Sequence, residues 1–294
     1  MRAAPHAALL RRDAARERLA LAGLSVPALL LVGATMILPV GWLFVLSFLD
    51  DSGAPSLANY RRLLARPAYA RILFATFEIS ILTTALCIVL GYLLAYALAQ
   101  LPRRWAALGM LGVLMPFWTS ILVRTYAWLV LLQRDGVINV WGMRLGLWHA
   151  PLALVYNLPG TLIGLVHIML PFLVLPAYGA MRAVQRDHLR AAASLGATPV
   201  QVFWRVFFPL TLPGVAAGAL IVFILCLGSF VTPAVLGGGK VLMAANAVAS
   251  DVELFFNWGA ASALGAVLLV LTFALLFLAT RLVRLERLFG SEAP

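Results

Sequence analysis

The sequence predicts an all-α polytopic membrane protein with six transmembrane helices and a helix–elbow–helix loop on the cytoplasmic side. Three observations lead there. The 294 residues have a mean hydropathy of +0.99 and are only 11% charged, where a soluble domain carries about 25%. Leu19–Leu49, Ile79–Pro102, Val206–Gly239 and Leu254–Thr280 contain no Asp, Glu, Lys or Arg, and each exceeds the ~20 apolar residues that cross a bilayer as a helix. Finally, with the N-terminus inside, the inner segments carry twice as many Lys and Arg as the outer ones, the asymmetry expected of a cytoplasmic face.

The spans follow in order: 22–48, 72–100, 106–131, 158–180, 213–235 and 260–283. The first begins after a basic segment, but its apolar run is far longer than the 7–15 residues of a signal-peptide core, so it reads as an uncleaved anchor. The third carries Arg124 and the fourth His167. Residues 21–285 therefore form the membrane domain, between a cytoplasmic N-terminal tail at 1–20 and a cytoplasmic C-terminal tail at 286–294. The longest loops are 49–71, 132–157, 181–212 and 236–259, of which only the third is inner. No internal repeat pairs one half of the chain with the other.

The net charge of +11 is better placed on inner-face anchors that attract anionic lipid than on a nucleic-acid surface. Cys87 and Cys226, the two cysteines, fall inside spans, so no disulfide framework is implied. No metal-ligand spacing occurs.

The inner loop after the fourth span reads as two short helices. "VQRDHLRAAASL" is a good helix former. Gly196 follows Leu195 where a left-handed C-terminal residue is needed, which glycine adopts most cheaply. Thr198 then opens a second helix, with Pro199 at its first position and Gln201 completing a capping box. Pro209 and Pro213 end that helix and start the fifth span. The first helix offers a small-residue surface, Ala191, Ala192, Ala193 and Gly196, suited to close approach by another protein or to packing on its own bundle.

This loop resembles the Glu-Ala-Ala loop of ABC transporter permeases. Leu189, Ala191, Ala192, Leu195, Gly196, Ala197, Thr198 and Pro199 fall in or beside its register, and "VFFPLTLPG" matches its tail. Arg190 stands where the family has glutamate. "NYRRLL", "LGYLLAYALA", "PFWTSILVRTYAWLVLLQRDGVIN" and "LPFLVLPAYGAM" are similar to the spermidine/putrescine (polyamine) importer branch, a binding-protein-dependent transport system inner-membrane component. The resemblance implies that the elbow inserts a coupling helix into a cytosolic ATPase dimer, which binds the ATP and Mg. It implies a second, related permease subunit, a periplasmic solute-binding protein and a bacterial inner (plasma) membrane setting. "GGGKV" at Gly237–Val241 is no phosphate loop: Ala234 replaces the leading glycine and Val241 the Ser/Thr. No cofactor is expected on this chain and no covalent chemistry of its own.

Candidate substrate-path residues are Glu78, Arg124, Tyr126, Trp128, Asp251 and Glu253, with Phe255, Phe256 and Trp258 as further aromatics. A polyamine needs carboxylates and ring faces. Glu78 falls ~10 Å from the outer end of its span, and Arg124, on a straight third helix, ~27 Å up from the inner face of a core ~30 Å thick. Intramembrane charges usually face the bundle interior, which makes the two candidates for an ion pair. Alternatives stay open: another small solute, or an ion-coupled secondary transporter using Glu78 and His167. Asp251 and Glu253 equally suit docking of a binding protein.

Overall fold

The computed structural model describes residues 23, 25–50 and 52–282; the tails at 1–20 and 286–294 lie outside them. The helices that position the site are numbered in chain order. α1 is Ser25–Ser47, α2 Ala58–Ala65 and α3 Pro67–Gln100. α4 is Arg103–Leu114, α5 Ile121–Leu132 and α6 Val137–Arg144. α7 is Leu158–Ala183, α8 Arg186–Ser194 and α9 Pro199–Leu227. α10 is Val231–Leu236, α11 Ala244–Glu253 and α12 Trp258–Leu282. There is no β-sheet among the described residues, only an isolated bridge between Leu49 and Pro55.

Five helices among the described residues are long and apolar enough to cross a membrane, α1, α3, α7, α9 and α12. The expected third span differs. It is a bent pair, Arg103–Trp118 and Ile121–Arg144, turned by 102° at a break between them. Pro116 lies in a 3-10 turn at Met115–Trp118, and Thr119 and Ser120 then leave helical geometry. Proline removes one backbone donor and clashes with the turn before it; here the helix ends, whereas α7 carries Pro171 and Pro176 within its length.

The fifth span also departs from expectation at both ends. It ends at Leu227 rather than 235, and α10 begins only after Gly228–Phe230. At its start Pro209 and Pro213 do not interrupt the helix, which runs unbroken from Pro199. A π turn at Phe203–Phe207 precedes Pro209 and widens the spiral where the proline supplies no N–H.

The centre of the bundle is α7, packed between α3 and α9, which also touch each other. Lipid tails are as apolar as leucine, so helices associate in a membrane through close packing and hydrogen bonds rather than through water exclusion. The small residues show how. A Cβ on Gly218 would lie 3.0 Å from Leu173 Cα, and one on Gly214 2.5 Å from the Pro176 carbonyl. Both glycines let the α9 and α7 backbones touch. Leu165, Leu173, Val174, Val222 and Cys226 are fully buried around this contact. α12 packs on α1, α2 and α11 at the side. α5 rests on α10, and the short helices close the end of the bundle opposite the α8 elbow.

Candidate functional site

The elbow is built by local sequence. α8 ends in two reverse bonds: Gly196 N donates to Ala193 O at 3.0 Å and Ala197 N to Ala192 O at 3.2 Å. Gly196 has φ +84°, and a methyl group added there would project into open space. The glycine is therefore required by backbone conformation, not by crowding. Thr198 caps α9: its N–H donates to Gln201 Oε1 at 2.9 Å, and Gln201 N donates to Thr198 Oγ1 at 3.4 Å. Pro199 takes the first helical position.

The expected contact surface splits in two. Leu189, Ala192 and Ala197 are half-buried, and Leu189 joins the apolar cluster with Val184, Phe203 and Phe207. Arg190, Ala191, Ala193, Leu195, Gly196, Thr198 and Pro199 face outward. Helical spacing explains the split, since 189 and 192 share one face and 190, 191 and 194 the other. Leu195 is 89% exposed, the highest value among the large apolar side chains described. Arg190 pairs with Asp187 at 3.8 Å, both side chains well exposed, a geometry worth little in water.

Behind the elbow lies an aromatic base that sequence reading missed. Phe203 packs on Tyr96 and Phe207 at 5.4 and 5.8 Å, and Trp204 on Phe208 at 5.1 Å. Tyr92 meets Phe208 at 5.6 Å and shares a 3.3 Å hydrogen bond with Thr211. The signal was present: Tyr92/Tyr96, Phe203/Phe207 and Trp204/Phe208 are three pairs at helical i, i+4 spacing. These rings join the start of α9 to α3.

The opposite half holds the polar residues. Glu78 and Arg124 do not pair. Glu78 faces outward from α3 with no hydrogen bond or ion pair among the described residues. Arg124 is carried elsewhere by the bend. Phe117 lies 5.0 Å from Phe172, and Trp128 makes an edge-on contact with His167 at 5.6 Å. These partners sit ~21 and ~14 Å along α7, a helix ~39 Å long. Arg124, between them in sequence, thus lies beside the middle of α7 rather than near its end as a straight helix requires. It is within Coulombic reach of His167. Arg124 Nε, His167 Nδ1 and Thr232 Oγ1 of α10 are all buried without a hydrogen-bond partner among the described residues. Tyr126 points outward, 54% exposed.

Asp251 and Glu253 have opposite fates. Asp251 is 7% exposed, and Tyr69 O–H donates to its carboxylate at 3.2 Å. Burial pushes the Asp251 carboxyl above its ordinary value, while Tyr69, Arg66 and Arg62 pull the other way. These residues tie α11 to the start of α3. Glu253 sits on the other face, exposed and with no ion pair among the described residues. It lines a cavity of about 210 Å³ with Phe230, Asn246 and Ser250.

The family model described as binding-protein-dependent transport system inner membrane component matches residues 87–287. The chain is 33% identical over 248 residues to the spermidine/putrescine transport system permease protein PotB of Haemophilus influenzae, covering 82% of this chain and 86% of that one. Its fold is similar to that of a bacterial ABC transporter involved in the import of the acidic polysaccharide alginate, with a TM-score of 0.77 at 17% identity over 94% of this chain and 98% of that one. A structure of the alginate transporter in complex with an alginate pentasaccharide-bound periplasmic protein aligns with a TM-score of 0.74 at 16% identity, over 96% and 99% of the two chains. This chain belongs to the family of binding-protein-dependent transport system inner membrane components, the membrane-spanning permease subunits of ABC importers.

Proposed function

We propose that the chain forms half of a polyamine pathway through the inner membrane, with both termini in the cytoplasm. A second permease subunit supplies the other half. A cytosolic ATPase dimer binds ATP and Mg, and a periplasmic binding protein delivers the substrate. The observation that carries the reading is the elbow: Leu195 stands 89% exposed on a turn fixed by Gly196 and Thr198. A rigid, protruding apolar tip is what a groove in another protein requires. The polyamine substrate rests on the kinship with the spermidine/putrescine permease. Closure of the ATPase dimer moves the elbow, and the aromatic base transmits that movement to α3 and α9.

The test is reconstitution of this chain with the second permease, the ATPase and the binding protein in proteoliposomes. Labelled spermidine uptake that requires ATP, and that Leu195→Glu abolishes together with ATPase binding, supports the reading. ATP-driven uptake of a different solute discards the polyamine. Uptake by this chain alone, driven by an ion gradient, overturns the importer mechanism.

A further inference from the structure

The cavity between α10 and α11 has a chemistry distinct from that of the elbow. Resting on the polyamine reading, we infer that it is a subsite for a primary ammonium group at the end of an alkyl chain, with Glu253 as its counter-charge. Asn246, Ser250 and Glu253 recur at i, i+4 and i+7 along α11, so they line one face. Asp251 falls on the far side, committed to Tyr69.

Two of the three polar groups are arranged to accept, Ser250 and Glu253. Ser250 Oγ donates its proton to Asn246 O at 2.9 Å, which leaves only lone pairs for a ligand. Asn246 is locked in place: its Nδ2 donates to Phe230 O at 3.0 Å, and its Oδ1 accepts from Met243 N at 3.3 Å. Glu253 adds a carboxylate with no ion pair among the described residues. Ser250 and Glu253 therefore favour a ligand that brings N–H donors and positive charge. The cation Lys240 belongs to the same hairpin but does not line the cavity.

The remaining wall suits methylene groups. Pro233, Ala234, Val241 and Leu242 are apolar, and Phe230 lines the cavity beside them. The volume of about 210 Å³ falls below the ~300 Å³ at which whole-ligand pockets begin. The subsite therefore holds one end of an extended molecule while the rest continues into the pathway. The hairpin is at the end of the bundle that receives substrate from outside, since Ala244 N donates to Thr76 Oγ1 near the start of α3.

The assembled transporter, with saturating spermidine-loaded binding protein, gives the test. Glu253→Gln should lower spermidine uptake about tenfold, the size expected for one charge-assisted contact, while ATP hydrolysis stays within about twofold. Uptake per ATP thus falls. Glu253→Asp should recover part of the loss, and Ser250→Ala should reproduce a smaller share of it. Assembly by size-exclusion chromatography guards against misfolding. Unchanged uptake in Glu253→Gln overturns the subsite and leaves the polyamine reading intact. A parallel fall in ATP hydrolysis stimulated by the substrate-free binding protein also overturns it, because Glu253 is then a docking contact. Wild-type complex that couples ATP to another solute but carries no spermidine removes the polyamine reading, and the subsite with it.

Discussion

The two ends of the bundle are made in opposite ways. At the elbow each stabilising bond joins residues within five positions of each other: Ala197 to Ala192, Gly196 to Ala193, Thr198 to Gln201. At the other end, besides local bonds within α11, three cross the chain: Tyr69 reaches Asp251, Thr76 reaches Ala244, and Phe230 reaches Asn246. The turn and cap of the elbow are held by local bonds, with Leu189 and the aromatic base anchoring it to the bundle. The hairpin of α10 and α11 is tied down by contacts with α3, so its polar groups are placed by the fold. On the proposed function, a partner meets the first and a permeating molecule the second.

Breaking the elbow should have the largest effect. Leu195→Glu places a charge on the exposed tip, and Gly196→Pro imposes a φ near −65° where the chain needs +84°. Both should cut uptake at least a hundredfold and abolish ATPase binding, with helical circular dichroism unchanged. Gly196→Ala should be milder, carrying ~1–2 kcal/mol of left-handed strain.

The aromatic base comes next. Phe207 is 7% exposed and touches Tyr96 and Phe203. Phe207→Ala should cost ~3–5 kcal/mol locally and lower the melting temperature in detergent. It should also leave ATPase binding in place while uptake falls, since Leu195 remains presented.

Tyr69→Phe tests the far end. It removes the hydroxyl that donates to a buried carboxylate and should cost ~1–3 kcal/mol. Asp251→Asn should be milder, because an amide oxygen still accepts that bond. The pH dependence has a definite sign. Burial raises the folded-state pKa of Asp251, so its contribution to stability is full below the unfolded-state value and is lost as pH rises through the folded one. Melting temperature against pH should show that decline in the wild type and flatten in Asp251→Asn. Smallest of all, Thr198→Ala should cost ~1 kcal/mol of cap, with slower uptake but intact assembly.

What is legible in the sequence follows the same division. Gly196, Thr198, Pro199 and Gln201 state their turn and cap directly, because capping depends on neighbours in sequence. The apolar runs place α1, α3, α7 and α12 within a few residues, because bilayer thickness sets their length. Pro116 marks a break in the third span, but its 102° consequence is not legible, since the size of a bend depends on what α5 packs against. The position of Arg124 beside α7 is hidden for the same reason. Asp251 and Glu253 look equivalent in sequence; only Tyr69, far along the chain, separates them. Tertiary partners of this kind leave no local signal.

The most direct measurement is a site-specific cross-link between a cysteine introduced at Leu195, in a chain lacking Cys87 and Cys226, and the ATPase in the assembled transporter. The account predicts efficient cross-linking that ATP and its hydrolysis modulate, and loss of uptake once the link is locked. Full ATP-driven uptake with the Leu195 position unlinked and freely labelled by a bulky maleimide would contradict it.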